Sequence, residues 1–348
     1  MKNTKLILPI LTFVCISNVF AQKIKPLENE VHLKNIKQLT FGGENAEAYF
    51  NQDETKLIFQ SKRDEFECDQ IFSMNLDGSD TKLISTGKGR TTCSYYIYGT
   101  DRILYSSTHL GGDDCPPSVM FESGKYVWPL YPSYDIFTAK EDGSDLQRLT
   151  KNDGYDAEAT LSTDGKKIVF TSMRDGDLEI YTMDSDGSNV KRLTKTDGYD
   201  GGAFFSDDGT KIIYRAYHPQ TDEELKLYKE LLAKDLVQPS KMELWLMDSD
   251  GSNKKQITNF GAASFGPFMH PDGNRVIFCS NLHSQETGGR NFDLFMINLD
   301  GTNLEQITHN ETFDGFPMFT RDGKKLVFAS NRNNAKRGET NVFICDFE

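Results

Sequence analysis

The sequence is poor in the residues that anchor most enzyme chemistry: 348 residues hold six cysteines, six histidines and two tryptophans. No CxxC or Cys/His spacing occurs, so there is no zinc finger or ribbon to read. G-x-S-x-G, H-E-x-x-H and a phosphate loop are also missing; "TGKGRTT" (86–92) has suitable residues in the wrong order. Positive charge is short as well. The net charge is −13, and −15 once Lys2 and Lys5 are lost with a leader, which repels nucleic acid and anionic membrane alike. The longest apolar run, residues 6–20, is too short and too interrupted for a membrane span.

That run has another use. A basic start (Lys2, Lys5), an apolar stretch and small residues at Val19 and Ala21 read as a cleaved signal peptide over residues 1–21. The mature protein, 22–348, is then periplasmic or secreted, without stable membrane insertion. Five cysteines remain. Export permits disulfides, an odd number leaves one thiol over, and Cys93 with Cys115 is the candidate bridge. Cys279 and Cys345 sit in apolar runs and read as small core residues.

What the sequence has in plenty is itself. "MDSDGSNVKRLT" (183–194) returns almost unchanged as "MDSDGSNKKQIT" (247–258), and its Asp-Gly recurs at Asp77, Asp142, Asp186, Asp250 and Asp300. A second turn alternates with it: "STDGKK" (162–167), "SDDGTK" (206–211), "HPDGNR" (270–275) and "TRDGKK" (320–325), with degenerate copies at 51–56 and 98–102. Asp-Gly between alternating apolar runs marks a hairpin, since glycine accepts positive φ. Each of six units reads as four short strands with a period of two, which excludes a helical solenoid. The expected fold is all-β, a six-bladed β-propeller of four-stranded antiparallel blades. Unit six lacks its fourth strand at the C-terminus, and "NIKQLT" (35–40) matches "NLEQIT" (303–308), so the N-terminal strand is expected to close the ring. "DSDGSN" lacks the third acidic position and distal Glu of a calcium loop, and is read as a structural turn.

The pattern xxSxDGxxIxFxSxRDGxxxIYxMxxDGSxxxxLT, fullest at 160–194, resembles the TolB-type six-bladed propeller repeat over nearly all of 35–348. The resemblance implies an envelope-located module that binds proteins. No counterpart of the α/β domain that precedes the propeller in TolB is read here.

The units depart from their pattern on the face opposite the Asp-Gly turns. At the end of strand two stand Arg63, His109, Arg174, His218, Leu282 and Arg332, with His283 one residue late. Long connections follow two of the histidines, giving insertions at 110–134 and 219–242. The second should hold a short amphipathic helix, with Thr221 and Glu224 as its capping box. The first carries Phe121, Tyr126, Trp128, Tyr131 and Tyr134 among prolines, a stacking platform for sugar or peptide. The innermost strands begin with Asn45, Thr91, Asp156, Asp200, Ser264 and Asp314, and Glu47 and Glu158 follow two residues on. The candidate ligand-binding residues at the channel mouth are therefore Glu47, Asp156, Glu158, Asp200, Asp314, Arg63, Arg174, Arg332, Trp128 and Tyr131. The plainer reading of each arginine is an ion pair with a neighbouring carboxylate.

The expected function is a protein- or ligand-binding module working through the insertion-bearing face, with a protein or peptide of the envelope as partner. The alternative is a metal-dependent lyase or hydrolase of oligosaccharide or lactone. In that case His109, His218 and His283 would hold a divalent metal.

Overall fold

Short apolar runs with buried residues on both faces form strands that pack sheet against sheet, as blades do. The computed structural model describes residues 21–119 and 126–348; residues 1–20 of the predicted leader and Phe121 lie outside them. The described residues form six radial antiparallel sheets. Blade 1 comprises 44–50, 56–62, 70–75 and 82–83, and blade 2 comprises 91–97, 102–107, 135–140 and 147–148. Blade 3 runs through 156–161, 167–172, 179–184 and 191–192, and blade 4 through 199–205, 211–217, 243–248 and 255–256. Blade 5 uses 264–269, 275–280, 293–298 and 305–306. Blade 6 uses 314–319, 325–330 and 341–347, completed by 33–38 and, outside it, 22–23. Leu33 lies opposite Phe347 and Gln38 opposite Phe343, so the N-terminal strand closes the ring.

The repeated residues serve the backbone. In each DGS or DGT turn the Asp carboxylate accepts the amide two residues on, as in Asp186–Ser188 and Asp250–Ser252 (both 2.9 Å), and also the hydroxyl (2.6 Å). Gly187 sits at φ 86°, where a side chain would be strained. The threonine closing five of the units, and Ser85 in blade 1, tie strand four to strand three. The threonine Oγ1 accepts the amide of the second residue of strand three: Ile136 to Thr150 (2.9 Å), Ile180 to Thr194 and Leu244 to Thr258 (2.8 Å), and Val342 to Thr40 (2.9 Å). The hydroxyl then donates to the first residue of strand three, as Thr258 does to Glu243 at 2.6 Å and Thr308 to Asp293 at 3.2 Å.

Both insertions leave strand two on the same face. Helix α1, Asp222–Leu232, is capped by Thr221, whose hydroxyl accepts from Glu224 N, while Glu224 accepts from Gln220 N. Its apolar side buries Tyr228 and Leu231. The chain beyond it pairs with the other insertion, Leu236 opposite Pro129 and Val237 opposite Trp128. The two departures from the repeat thus become one small sheet. The disulfide joins Cys115 to Cys68 (Cα–Cα 5.9 Å), not to Cys93. It ties the insertion of blade 2 to a loop of blade 1, whereas Cys93 lies on an innermost strand. Cys279 and Cys345 are buried free thiols, as expected.

Candidate functional site

Every innermost strand carries the same irregularity. Its pairing with strand two slips between Ala46 and Tyr49, Thr92 and Tyr95, Ala157 and Thr160, Gly201 and Phe204, Phe265 and Phe268, and Gly315 and Met318. Within each slip one residue is left-handed: Glu47, Cys93, Glu158, Gly202, Gly266 and Phe316, with φ between 50° and 56°. For a residue with a Cβ this costs about 1–2 kcal/mol. Four such residues around one opening show where the fold stores strain, a habit of functional sites.

All four line one cavity of about 340 Å³ at the mouth of the bore. Its roof is the insertion of blade 2, through Tyr126, Trp128, Tyr131 and Tyr134. One strand position deeper, side chains fill the bore. Tyr49 of blade 1 touches Phe204 of blade 4, three blades away, at 5.6 Å between ring centroids, with Tyr95 and Phe268 beside them.

Two charge pairs furnish its wall. Glu158 accepts from Thr171 (2.7 Å), the Tyr199 hydroxyl (2.7 Å) and Gly202 N (3.0 Å), and it forms an ion pair with Arg215. The Arg215 guanidinium lies 5.2 Å from the Trp128 ring and 5.6 Å from those of Tyr199 and Phe265, so aromatic faces and a carboxylate already satisfy this cation. Arg90 pairs with Asp69 at 3.1 Å. Glu47 differs. Its partner is the Cys93 thiol, and burial pushes its carboxyl up to about 7, with Glu158 and Asp69 adding and Arg215 opposing. Burial, helped by Glu47, pushes the Cys93 thiol well up. It is thus a poor thiolate and a poor nucleophile.

Of the residues singled out from sequence, Glu47, Glu158, Trp128 and Tyr131 line this cavity. The others form a ring of blade-capping contacts. Arg174 pairs with Asp156 (3.2 Å) over Phe170 and Tyr181, and Arg332 pairs with Asp314 (2.6 Å) and Glu30 (2.8 Å) over Phe328. His218 meets Asp200 at 2.9 Å beside Trp245, and His283 meets Asp293 at 3.1 Å beside Phe295. His109 bonds Ser107 (2.9 Å) against Phe137, and Arg63 lies over Phe59 and Phe72. Each closes its own blade. The three histidines are not brought together, and among the described residues no group of three or more His, Cys, Asp or Glu is arranged to hold a metal ion.

Sequence reading passed over Arg215, Cys93, Tyr155 and Tyr199. Signals existed: an arginine inside the otherwise apolar "IIYRAY" (212–217), and Gly201-Gly202 within an innermost strand. Paired glycines in a strand mark a bulge or a close approach. Here a Cβ on Gly201 would lie 2.6 Å from Glu158 Oε2, and one on Gly202 would lie 2.7 Å from Arg215 Cζ.

The TolB β-propeller domain family model matches residues 131–235. No curated protein matches the chain. Among solved structures, one from Agrobacterium tumefaciens assigned as TolB aligns over 88% of this chain and 91% of its own, with TM-score 0.58 and 18% identity. TolB from Acinetobacter baumannii aligns over 88% of this chain and 64% of its own, at 0.55 and 17%. An oligogalacturonate lyase from Vibrio parahaemolyticus aligns over 94% and 96%, at 0.55 and 14%. At these identities the likeness shows the fold, and the TolB-type propeller read from the repeats is borne out.

Proposed function

We propose that this chain is an exported binding module that receives a small ligand, or one side chain of a protein or peptide partner, in the cavity at the mouth of its bore. The observation that carries this reading is the convergence there of four strained, mostly polar bulge residues beneath an aromatic roof. Globular ligand sites share this make-up: a concave, largely apolar pocket of a few hundred Å³ with a few placed polar groups. The Cys68–Cys115 bridge suits an oxidising compartment. The TolB-type resemblance supports a partner in the envelope. The absence of any helix long and apolar enough to cross a membrane among the described residues agrees with a protein that does not span it by helices.

The chain has two tryptophans, so a Trp245→Phe variant makes Trp128 the sole reporter of the cavity. Screening peptides, amines, organic acids and oligosaccharides should find a class that shifts Trp128 emission and raises the melting temperature by linkage. A Tyr131→Ala variant should weaken both. If no class moves either signal, the cavity is not a binding site.

The lyase or hydrolase reading rests on the likeness to the oligogalacturonate lyase fold. The candidate histidines stand one to a blade and do not form a shared metal site. Elemental analysis during the same screen should find no stoichiometric transition metal. Metal that disappears in the His109→Ala, His218→Ala double variant, with the fold intact, would reverse that preference.

A further inference from the structure

The cavity's charge does not balance, and the residue left over is Glu47. Of the charged groups on its wall, Arg215 is held by Glu158 and by the rings of Trp128, Tyr199 and Phe265. Arg90 is held by Asp69. Among the described residues that face the cavity, Glu47 is the carboxylate without a cation of its own; its contact is the Cys93 thiol, a weak donor. A half-buried carboxylate in that position, facing the cavity, disfavours its charged form until an opposite charge arrives. The surroundings also suit a cation. Tyr131, Tyr134 and Tyr155 follow one another around the wall, with centroids 6.1 Å and 5.6 Å apart, and Tyr134 and Tyr155 meet edge to face. Phe316 lines the same space. Aromatic faces attract ammonium and guanidinium groups and offer nothing comparable to an anion.

We infer that the cavity recognises a single organic cation, an alkylammonium or guanidinium group, with Glu47 as its counter-ion and the Tyr131–Tyr134–Tyr155 wall around it. The inference rests on the cavity being a binding site. The propeller models how this works with its own side chain: Arg215 already sits in a box of Trp128, Tyr199, Phe265 and Glu158 beside the open one. The cation is either a free amine or the basic side chain of a peptide, and the two sources present the same head group.

Binding is coupled to protonation. The groups that act on Glu47 are Cys93, Arg215, Glu158 and Asp69, and Tyr49 lies against it. With the carboxyl raised to about 7 by burial, the empty site is largely protonated at low pH. A cation must displace that proton, so affinity should rise with pH through neutrality.

The test titrates the Trp245→Phe protein with n-pentylamine, with N-acetylated, C-amidated Gly-Lys-Gly, with its equally capped norleucine and glutamate counterparts, and with uncharged oligosaccharides, at pH 6 and pH 8. We expect pentylamine or the lysine peptide to bind roughly tenfold or more tighter than the neutral and anionic counterparts, from a desolvated charge pair and ring contacts. The affinity should be greater at pH 8. Pentylamine binding as well as the peptide identifies a free amine as the ligand, and a preference for the peptide identifies a partner's side chain. Glu47→Gln should remove the preference for cations, while Glu47→Asp, which keeps the charge, should retain it in part. Circular dichroism controls for folding. Neutral or anionic probes binding best, or cation binding unchanged in Glu47→Gln, overturns the inference and leaves the cavity a site for something else. If no probe in this set or in the wider screen moves Trp128, the binding reading falls with it.

Discussion

At the scale of single residues, repetition and function occupy different positions. The Asp, Gly, Ser and Thr that recur most faithfully hold turns and strand ends. The residues that differ from blade to blade at the bulge are Glu47, Cys93, Glu158, Gly202, Gly266 and Phe316, and the four with side chains line the cavity. Glu47 and Glu158 were legible because their spacing from the strand start repeats. Cys93 and Phe316 were not, since a cysteine or phenylalanine in an apolar strand looks like core. Glu47 also makes a prediction about stability. Its carboxyl is raised from 4.5 to about 7 when folded. Its contribution is therefore complete below the unfolded value and is lost as pH rises through about 7. Glu47→Gln mimics the protonated form, so its urea midpoint should match wild type at pH 4, below the unfolded value, and exceed it at pH 8. A variant less stable than wild type at pH 8 would show that the charged carboxylate is stabilised in a way its surroundings do not reveal. The turn carboxylates run the other way. Hydrogen bonds from the Ser at the turn lower Asp186 and Asp250, so their contribution is lost as pH falls into the acid range.

At the scale of elements, the insertions show how a local signal and a tertiary outcome part company. The capping box at Thr221 and Glu224 and the apolar spacing placed a helix correctly. Nothing local announces that Leu236–Val237 pairs with Trp128–Pro129, because strand partners of two residues carry no pattern of their own. The disulfide is similar. Cys68 and Cys115 are 47 residues apart, and cysteine count limits but does not select their pairing. Replacing both by alanine should cost roughly 2–4 kcal/mol in chemical denaturation. The change should also broaden and red-shift Trp128 emission, since the roof of the cavity loses its tether. Unchanged emission with lowered stability would mean that the short sheet alone positions the roof.

At the scale of the whole molecule, the ring depends on its first strand. Leu33, Ile36 and Leu39 are buried against the last blade, and each such side chain is worth about 1.5–3 kcal/mol. Their sum is comparable to the roughly 5–15 kcal/mol that holds a typical domain together. Removing residues 22–40 should therefore abolish cooperative thermal unfolding and leave strand 341–347 as an exposed edge prone to association. A truncated protein that still melts in one sharp, monomeric transition would show that blades one to five suffice. Closure also decides the site, because the cavity exists only where opposed blades face each other across a bore.

The chain's periodic residues determined the number of blades, their turns, the closing strand and the face bearing the insertions. These are consequences of short-range backbone geometry repeated along the chain. Which polar side chains meet was settled only in three dimensions. The arginines and histidines at the ends of strand two turned to their own blades, since a carboxylate, serine or ring one strand away is nearer than the bore. The bulges instead aimed Glu47, Glu158 and Cys93 inward. A pocket assembled from strands and loops of several blades has no footprint in any one repeat, because its members are brought together by the curvature of the ring.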